Sequence, residues 1–493
     1  MDLRKPLCLI VLALGSAHTF AADADPRAVI ANASKAMGLD GVTSLYYYGS
    51  GATYNIGQNN NANIPWPQTP LNEYVRAIDF SVPASRATWS TYATPVTGGA
   101  PALANGQQNI TPTSPGGWSN QLEIWTTPWG FLKGAAANNA TLVHRERSSH
   151  FETLTWNAPI KSPGGETYRI VGYINDDNMV EKVQTWLENP VLGDMLVETE
   201  YSFYRDHDGL KYPTEIVQKR GGWPVFKLQV LGAFPNPAKL AQLMAIPAPP
   251  AGAPGAGAPA AGGPPAPPPT TSELLAPGVY RIKGAYNSMA VEFSDYVVLF
   301  EPGPQNEARA LAGIAETKRL FPGKPIRYGV ITHHHFDHTG GLEAVAAEGI
   351  TIVTPEVNKD FLMKALSAPR TLAPDALSKS GKKPVIEGFK GDKRVFSDAT
   401  RTLEVHVIKG LPHADGLVVG WLPKEKILVY ADMFNFPPAG VTVPDPPVIG
   451  TKVFYENLQR LKIEPEKILS IHAMNPDRLA TLQDIKSSMG IAN

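Results

Sequence analysis

Four of the eleven histidines in this 493-residue chain fall within six consecutive positions, His333 to His338. The local sequence reads Thr-His-His-His-Phe-Asp-His-Thr-Gly-Gly, and it follows an apolar, strand-like run at residues 326–331. Because histidine titrates near neutral pH, a cluster of imidazoles is costly unless something keeps the rings neutral, and a bound metal ion does so. The cluster therefore predicts a metal site; a solvated polar loop is the alternative.

The H-x-H-x-D-H spacing offers ligands to two ions. On an extended loop, His333 and His335 point to the same side and can share one ion. Where the chain turns into a helix near Gly340, Asp337 and His338 are swung toward a second ion. The spacing thus predicts two cations held close together across a bound water.

This motif resembles the signature of the metallo-β-lactamase superfamily, and the resemblance covers roughly residues 276–490. It implies three further ligands downstream, which are His413, Asp432 and His472. The implied ligand sets are His333, His335 and His413 for one metal and Asp337, His338 and His472 for the other, with Asp432 shared between them. The chain departs from the family pattern at Glu301, Ala431 and Pro412, but none of these changes removes a ligand.

Ligation by histidine and aspartate alone suits two divalent metal ions, with zinc as the default and iron or manganese as alternatives. In the implied chemistry, a hydroxide that bridges the two ions attacks an ester, thioester, lactone or lactam carbonyl of a small-molecule substrate. Asp337 is the predicted catalytic residue, because its carboxylate can orient the nucleophile and then relay its proton to the leaving group.

Substrate identity is the part that the motif leaves open, since one fold serves many chemistries through its loops. Cys8 is the only cysteine, so the cysteine-bearing subclass of β-lactamases is excluded. A bridging Asp432 favours glyoxalase II-like, lactonase-like or other ester and thioester hydrolases. We expect His334 to be structural or to support a ligand, and Lys379 and Asn435 to be ordinary surface residues; contact with substrate is the alternative for all three.

Two other functions fit the same residues. A mononuclear iron dioxygenase on this scaffold would use His333, His413 and Asp432 as its ligands. Alternatively, the protein is a ligand-binding envelope protein whose metal domain is vestigial. Every ligand position carries a suitable residue, which disfavours the vestigial metal domain, since a site that has lost its function usually lacks at least one ligand.

Apolar runs that alternate with amphipathic segments predict an α/β domain at residues 273–493, and the resemblance implies an αββα sandwich. The expected strands are residues 291–300, 326–332, 350–353, 403–407, 417–421, 427–430 and 468–472, and the expected helices are 306–320, 342–348, 358–366, 451–462 and 476–488. We expect His406 to pack within its strand.

The preceding residues, 22–245, predict a mostly antiparallel β domain. Its expected strands are residues 168–174, 180–186, 196–201, 214–218 and 225–230, whereas the Asn- and Gly-rich residues 51–120 predict long surface loops. Residues 201–230 resemble the curved sheet of lipoprotein-carrier-like periplasmic proteins. His144, His150 and His207 are isolated, and we expect them to be structural or merely exposed.

Residues 246–272 form a linker rich in proline, alanine and glycine, which lacks the apolar surface needed to fold. Residues 1–21 predict a cleaved signal peptide, with a basic start at Arg4 and Lys5 and an apolar run at 7–14; a retained membrane anchor is the alternative. We therefore expect a periplasmic or secreted protein without a transmembrane segment. A net charge of −1 gives no reason to expect a nucleic-acid partner.

Overall fold

An 11-stranded antiparallel sheet dominates the N-terminal half of the computed structural model, which describes residues 25–92, 105–111, 116–143, 151–246, 270–437, 443 and 446–491. The strands are β1 (Ser44–Tyr54), β2 (Gln68–Asp79), β3 (Ala84–Thr91), β4 (Gly106–Ile110), β5 (Thr141–Leu142), β6 (Glu152–Lys161), β7 (Thr167–Ile174), β8 (Val180–Asn189), β9 (Gly193–His207), β10 (Leu210–Arg220) and β11 (Trp223–Pro235). Their order is β4-β3-β2-β1-β11-β10-β9-β8-β7-β6-β5. The predicted antiparallel β region is thereby confirmed.

Helices cover the apolar face of this sheet. They are α1 (Pro26–Ala36), α2 (Trp118–Trp125) and α3 (Pro128–Ala137), and a short α4 (Leu240–Met244) follows the last strand. Trp118, Trp129 and Phe131 are completely buried between helices and strands. Alternate residues of β9 face this core, as the period of two in its burial requires.

The prediction of long surface loops at residues 51–120 is wrong for much of that stretch. It contains the end of β1, the whole of β2, β3 and β4, and α2. Polar residues such as Asn72 and Glu73 are exposed where the pairing of β2 with β3 shifts in register, while Leu71 and Tyr74 are buried. Pairing with neighbouring strands outweighs the weak β propensity of these polar residues.

Two sheets form the C-terminal half. The 7-stranded sheet has the order β12 (Ser272–Ala276), β13 (Val279–Ile282), β14 (Ser288–Glu292), β15 (Val297–Phe300), β16 (Ile326–Val330), β17 (Thr351–Pro355) and β18 (Ile386–Phe389). The 5-stranded sheet has the order β19 (Lys393–Ser397), β20 (Thr402–Val407), β21 (Val418–Leu422), β22 (Ile427–Tyr430) and β23 (Lys467–Ser470). The pairs β15–β16, β16–β17, β17–β18 and β22–β23 are parallel.

Helices pack on both outer faces of these sheets. They are α5 (Glu307–Leu320), α6 (Phe336–Thr339), α7 (Leu342–Glu348), α8 (Glu356–Leu366), α9 (Ala376–Ser380), α10 (Ile449–Leu461) and α11 (Leu482–Ser488). One apolar cluster joins the inner faces of the two sheets, and separate clusters join each outer face to its helices. The αββα sandwich is confirmed.

Two predicted element boundaries are wrong. Residues 291–300 form parts of β14 and β15, because an exposed Ser294-Asp295 turn divides the apolar run. The helix expected from residue 476 begins only at Leu482, where Thr481 and Asp484 form a capping box. That Thr-x-x-Asp pattern marks a helix start in the sequence itself.

Contacts between the two halves include a docking of residues 369–372 on the β8–β9 turn. Asp194 accepts hydrogen bonds from the backbone N–H of Thr371 (2.9 Å) and of Leu372 (3.0 Å). Arg370 donates to the carbonyl oxygens of Pro190 and Val191. The predicted domain limits stay a prediction, and the linker run 247–269 lies outside the described residues. Within the described residues, every helix is too short or too polar to traverse a lipid bilayer.

We expect the free energy of unfolding to depend on pH because of Glu343. This residue of α7 is buried, with 3% of its surface exposed. Burial raises the pKa of this carboxyl to about 8, despite the opposing charge of Arg370. The folded state then holds a proton that the unfolded state has released, so the free energy of unfolding falls as pH rises from about 4.5 to 8, by at most about 5 kcal/mol. Glu343→Gln should remove this loss. Urea denaturation at pH 5 and pH 8.5 measures it, and equal pH dependence in the variant would contradict the expectation.

Candidate metal centre

Buried strands end at one edge of the sandwich, and the residues that follow them carry the predicted ligands. His333 lies just after β16, Asp432 follows β22 and His472 follows β23, while α6 carries Asp337 and His338. Parallel strands bring their carboxyl ends to the same edge, where α/β folds usually bind ligands. His413 joins them from the loop that leads into β21.

The first group consists of His333, His335 and His413, whose ligand atoms all lie within 4.8 Å of one another. Nε2 of His333 is 3.2 Å from Nε2 of His413. All three side chains are buried. Burial lowers the pKa of His333 and of His335 well below the usual value, so both rings are neutral and able to offer a lone pair.

A second group consists of Asp337, His338 and His472. Nε2 of His338 is 3.2 Å from Nε2 of His472, and Oδ2 of Asp337 is 3.4 Å from the first and 3.8 Å from the second. Asp337 and His472 are each 30% exposed, whereas His338 is completely buried. Two of the three residues in this group are therefore accessible to solvent, whereas the first group is buried.

Asp432 lies between the two groups. Its carboxylate oxygens are 2.9 Å from Nε2 of His338 and 2.9 Å from Nε2 of His472, and Oδ2 is 3.7 Å from His333 and 3.8 Å from His413. Asp432 and Glu301 each lie just after a buried strand, and their own backbone φ angles are positive, +59° and +58°. Such backbone costs about 1–3 kcal/mol for a residue other than glycine and persists where the surroundings require it.

These side chains fit divalent cations. Two neutral ring nitrogens that face each other repel unless a cation or a proton lies between them. A tetrahedral zinc ion with bonds of about 2.0–2.1 Å separates its ligand nitrogens by roughly 3.3 Å, and both pairs of Nε2 atoms are 3.2 Å apart. Within the described chain, Nδ1 of His335 is buried without a hydrogen-bond partner. That orphaned atom is the third ligand expected from the first group.

Hydrogen bonds at the opposite ring nitrogens orient the histidines. Nδ1–H of His338 donates to Oε1 of Glu301 at 2.7 Å, and the backbone N–H of Thr332 donates to Oε2 of Glu301 at 3.0 Å. Nδ1 of His333 is 3.1 Å from the hydroxyl oxygen of Thr332. Such contacts fix the tautomer, because the protonated nitrogen faces the acceptor and the lone pair faces the metal.

The carboxylate of Asp337 is held from two sides. Gln58 donates from Nε2 to Oδ1 at 2.8 Å, and the Tyr286 hydroxyl donates to Oδ2 at 2.9 Å. The ring of Tyr286 also packs against His472, with 4.3 Å between ring centroids. Burial and the charge of Asp337 raise the pKa of Tyr286, so its hydroxyl stays protonated and acts as a donor.

The remaining candidates lie outside these groups. His334 is completely buried, with Nε2 2.9 Å from the carbonyl oxygen of Asn59, so it packs against the protein rather than a substrate. Lys379 and Asn435 are exposed. His406 is buried in β20, as predicted, and it also pairs with Glu404. His207 lies partly exposed against Phe234. His144 and His150 lie outside the described residues.

Sequence reasoning missed the residues that orient the ligands. Glu301 was noted without a role, although an acidic residue directly after an apolar strand and before Pro-Gly was a usable signal. Tyr286, Gln58 and Asn59 carry no local signal, since each meets the ligand loop only through the tertiary fold.

Residues 281–469 match the family model described as the metallo-beta-lactamase superfamily. Residues 281–469 therefore belong to the metallo-β-lactamase superfamily. Among solved structures, similar chains include metallo-β-lactamases from Pontibacter korlensis (19% identical, TM-score 0.34) and from Hirschia baltica (18% identical, TM-score 0.32). Each match covers 45% of this chain and 98% or 97%, respectively, of the other.

A curated relative of this chain is the 2,4-dinitroanisole O-demethylase subunit alpha of a Nocardioides species, strain JS1661. It is 24% identical over 183 residues, which are 36% of this chain and 50% of the relative. The chain thus spans about half the length of that relative.

Proposed function

We propose that this protein is a dinuclear metal-dependent hydrolase that attacks an ester, thioester, lactone or lactam carbonyl. The observation that carries the proposal is the position of Asp432, whose two carboxylate oxygens each lie 2.9 Å from an imidazole of the second group while one also lies 3.7 Å from His333 of the first. A carboxylate shared between two ligand groups is the arrangement that a pair of cations needs.

Divalent cations bound in the two groups, with zinc as the default, would supply Lewis acidity that activates water and polarises a carbonyl. The chain's own contribution is to position and to move protons. Asp337 is 30% exposed and is oriented by Gln58 and Tyr286, so it can hold a water molecule and pass its proton to a leaving group.

Metal quantitation and an activity screen also distinguish this proposal from two alternative functions. A mononuclear iron dioxygenase would hold one iron and consume oxygen. A ligand-binding protein with a vestigial centre would hold no stoichiometric metal. The name of the curated relative adds 2,4-dinitroanisole, an aryl methyl ether, to the substrates that should be tested.

The experiment combines metal quantitation with an activity screen over lactam, lactone, thioester, carboxylic ester and phosphodiester substrates and 2,4-dinitroanisole. We expect carbonyl hydrolysis that a chelator abolishes and that Asp337→Ala lowers by at least about 10²–10⁴-fold, the usual contribution of a general acid–base, because the change also removes one candidate ligand of the second group. Asp295→Ala, at an exposed position in the β14–β15 turn, is the matched control and should retain full activity. One iron per chain with oxygen consumption would overturn the proposal.

Export is part of the proposal and depends on residues 1–21. Recovery of the protein, cleaved near residue 21, from a periplasmic or extracellular fraction would support it, and full-length protein in the cytosolic fraction would contradict it. The role of the N-terminal sheet as a lipoprotein-carrier-like module stays a prediction.

A further inference from the structure

The loop between β1 and β2, residues 55–67, crosses from the N-terminal sheet to the edge of the metallo-β-lactamase domain that carries the ligands. The backbone N–H of Phe336 donates to the carbonyl oxygen of Gly57 at 3.3 Å. Asn60 donates from Nδ2 to the carbonyl oxygen of Pro412 (2.9 Å), and its own carbonyl accepts from the backbone N–H of Asp415 (2.6 Å). The β1–β2 loop therefore contacts the segments on both sides of the first ligand group.

Asn59 orients a ligand with its backbone. The carbonyl oxygen of Asn59 lies 2.9 Å from Nε2 of His335 and 2.9 Å from Nε2 of His334. A carbonyl only accepts hydrogen bonds, so Nε2 of His335 carries the proton and Nδ1 carries the lone pair. Nδ1 of His335 is one of the buried side-chain atoms without a hydrogen-bond partner among the described residues, and it belongs to a ring of the first ligand group, so the loop selects the tautomer whose free Nδ1 can bind a metal.

Gln58 orients a second ligand with its side chain. Its Nε2 donates to Oδ1 of Asp337 at 2.8 Å, and Oδ2 is left facing His338 and His472. Neighbouring residues of the same loop thus contact one ligand of each group.

The β1–β2 loop is held in a defined shape. The side chain of Asn59 is 4% exposed and donates to the carbonyl oxygens of Asn61 (2.6 Å) and Ile64 (2.9 Å). Trp66 is 4% exposed and packs edge-on against Phe336, in a cluster that contains residues from both halves of the chain. At Gly57, where φ is +77°, an added Cβ would lie 2.3 Å from the Phe336 ring. A loop that only covered the surface would not require such close packing.

We propose that the β1–β2 loop is part of the metal centre, with Asn59 and Gln58 as positioning residues for His335 and Asp337. The N-terminal sheet then supplies two of the contacts that a metallo-β-lactamase domain needs to hold its ligands in place. This inference rests on the proposed function, because it assigns a role relative to the bound metal.

The test measures metal binding without substrate. Wild-type protein, Gln58→Met and Asn59→Ala are compared for zinc affinity, by competition with a chromophoric chelator, and for the visible spectrum of the cobalt(II)-loaded protein. Gln58→Met keeps side-chain length and removes the donor, whereas Asn59→Ala removes the bonds that shape the loop. We expect each variant to lose roughly 10–100-fold in affinity for one ion, the usual effect of removing such a contact, and to change the cobalt spectrum.

Two controls distinguish a role of the β1–β2 loop in positioning the metal ligands from a general effect of contacts between the two halves of the chain. Asp194→Ala breaks a different contact between the halves, at residues 371 and 372, and should lower thermal stability while leaving the zinc affinity and the cobalt spectrum unchanged. Asn63→Ala, at an exposed position of the β1–β2 loop, should change neither the zinc affinity nor the cobalt spectrum. Wild-type affinity and spectrum in both test variants would overturn the inference, as would an equal loss in Asp194→Ala. If wild-type protein itself binds no metal, the proposed function fails instead.

Discussion

Asp432→Ala is expected to lower hydrolysis by about 10³-fold or more and to leave at most one metal ion per chain. The carboxylate lies within 3.8 Å of imidazoles from both groups, so its removal leaves neither group with its full ligand set. Several kcal/mol of transition-state stabilisation by a metal pair correspond to roughly three powers of ten in rate. Steady-state kinetics and elemental analysis of the same sample measure both quantities.

Asp295→Ala is again the control, and both proteins should show similar circular dichroism. Near-normal turnover in Asp432→Ala with two bound ions would mean that Asp432 is not shared by the metals. Near-normal turnover with one ion would place the reaction at a single metal.

Glu301→Gln is expected to lower affinity for the second ion by roughly 10–100-fold and to destabilise the fold by a few kcal/mol. Glu301 is completely buried and accepts hydrogen bonds from Nδ1–H of His338 and from the backbone N–H of Thr332. Glutamine is the same size but carries no charge, and one of its two terminal atoms can only donate. At least one buried charge-assisted hydrogen bond is lost, at about 1.5–3 kcal/mol.

Glu404→Gln is the matched control, because Glu404 pairs at 2.8 Å with His406, a histidine outside the candidate ligand groups of the described residues. It should leave zinc affinity unchanged. If Glu301→Gln and Glu404→Gln have the same metal affinity, the Glu301 contact does not orient His338 as a ligand. Isothermal titration of the metal-free proteins with zinc, together with urea denaturation, provides both readouts.

Four of the seven predicted ligands could be found from the His333–His338 motif itself, and the resemblance to the metallo-β-lactamase superfamily implied the other three, His413, Asp432 and His472. Six of the seven follow a buried strand within a few residues, so the apolar run marks their place: His333, His335, Asp337 and His338 follow β16, Asp432 follows β22 and His472 follows β23. The structure brings all seven together, and their binding of metal stays a prediction.

The contacts that orient these ligands depend on the tertiary fold and were beyond sequence reasoning. Gln58 is 279 positions from Asp337, and neither residue type indicates the other. Dependence on the tertiary fold also explains why β2 was predicted to be a loop. Its polar residues do not indicate a strand by themselves, and β2 is a strand because it pairs with β1 on one side and β3 on the other. Alternation of apolar and polar residues predicts strands that are apolar on one face. It does not predict that a polar segment becomes a strand by pairing with its neighbours.

Anomalous diffraction from zinc-loaded crystals tests the central claim most directly. Data collected above and below the zinc absorption edge should show two peaks roughly 3.5–4 Å apart, one beside His333, His335 and His413 and one beside Asp337, His338 and His472, with Asp432 between them. A single peak, or none within reach of Asp432, would contradict a dinuclear centre.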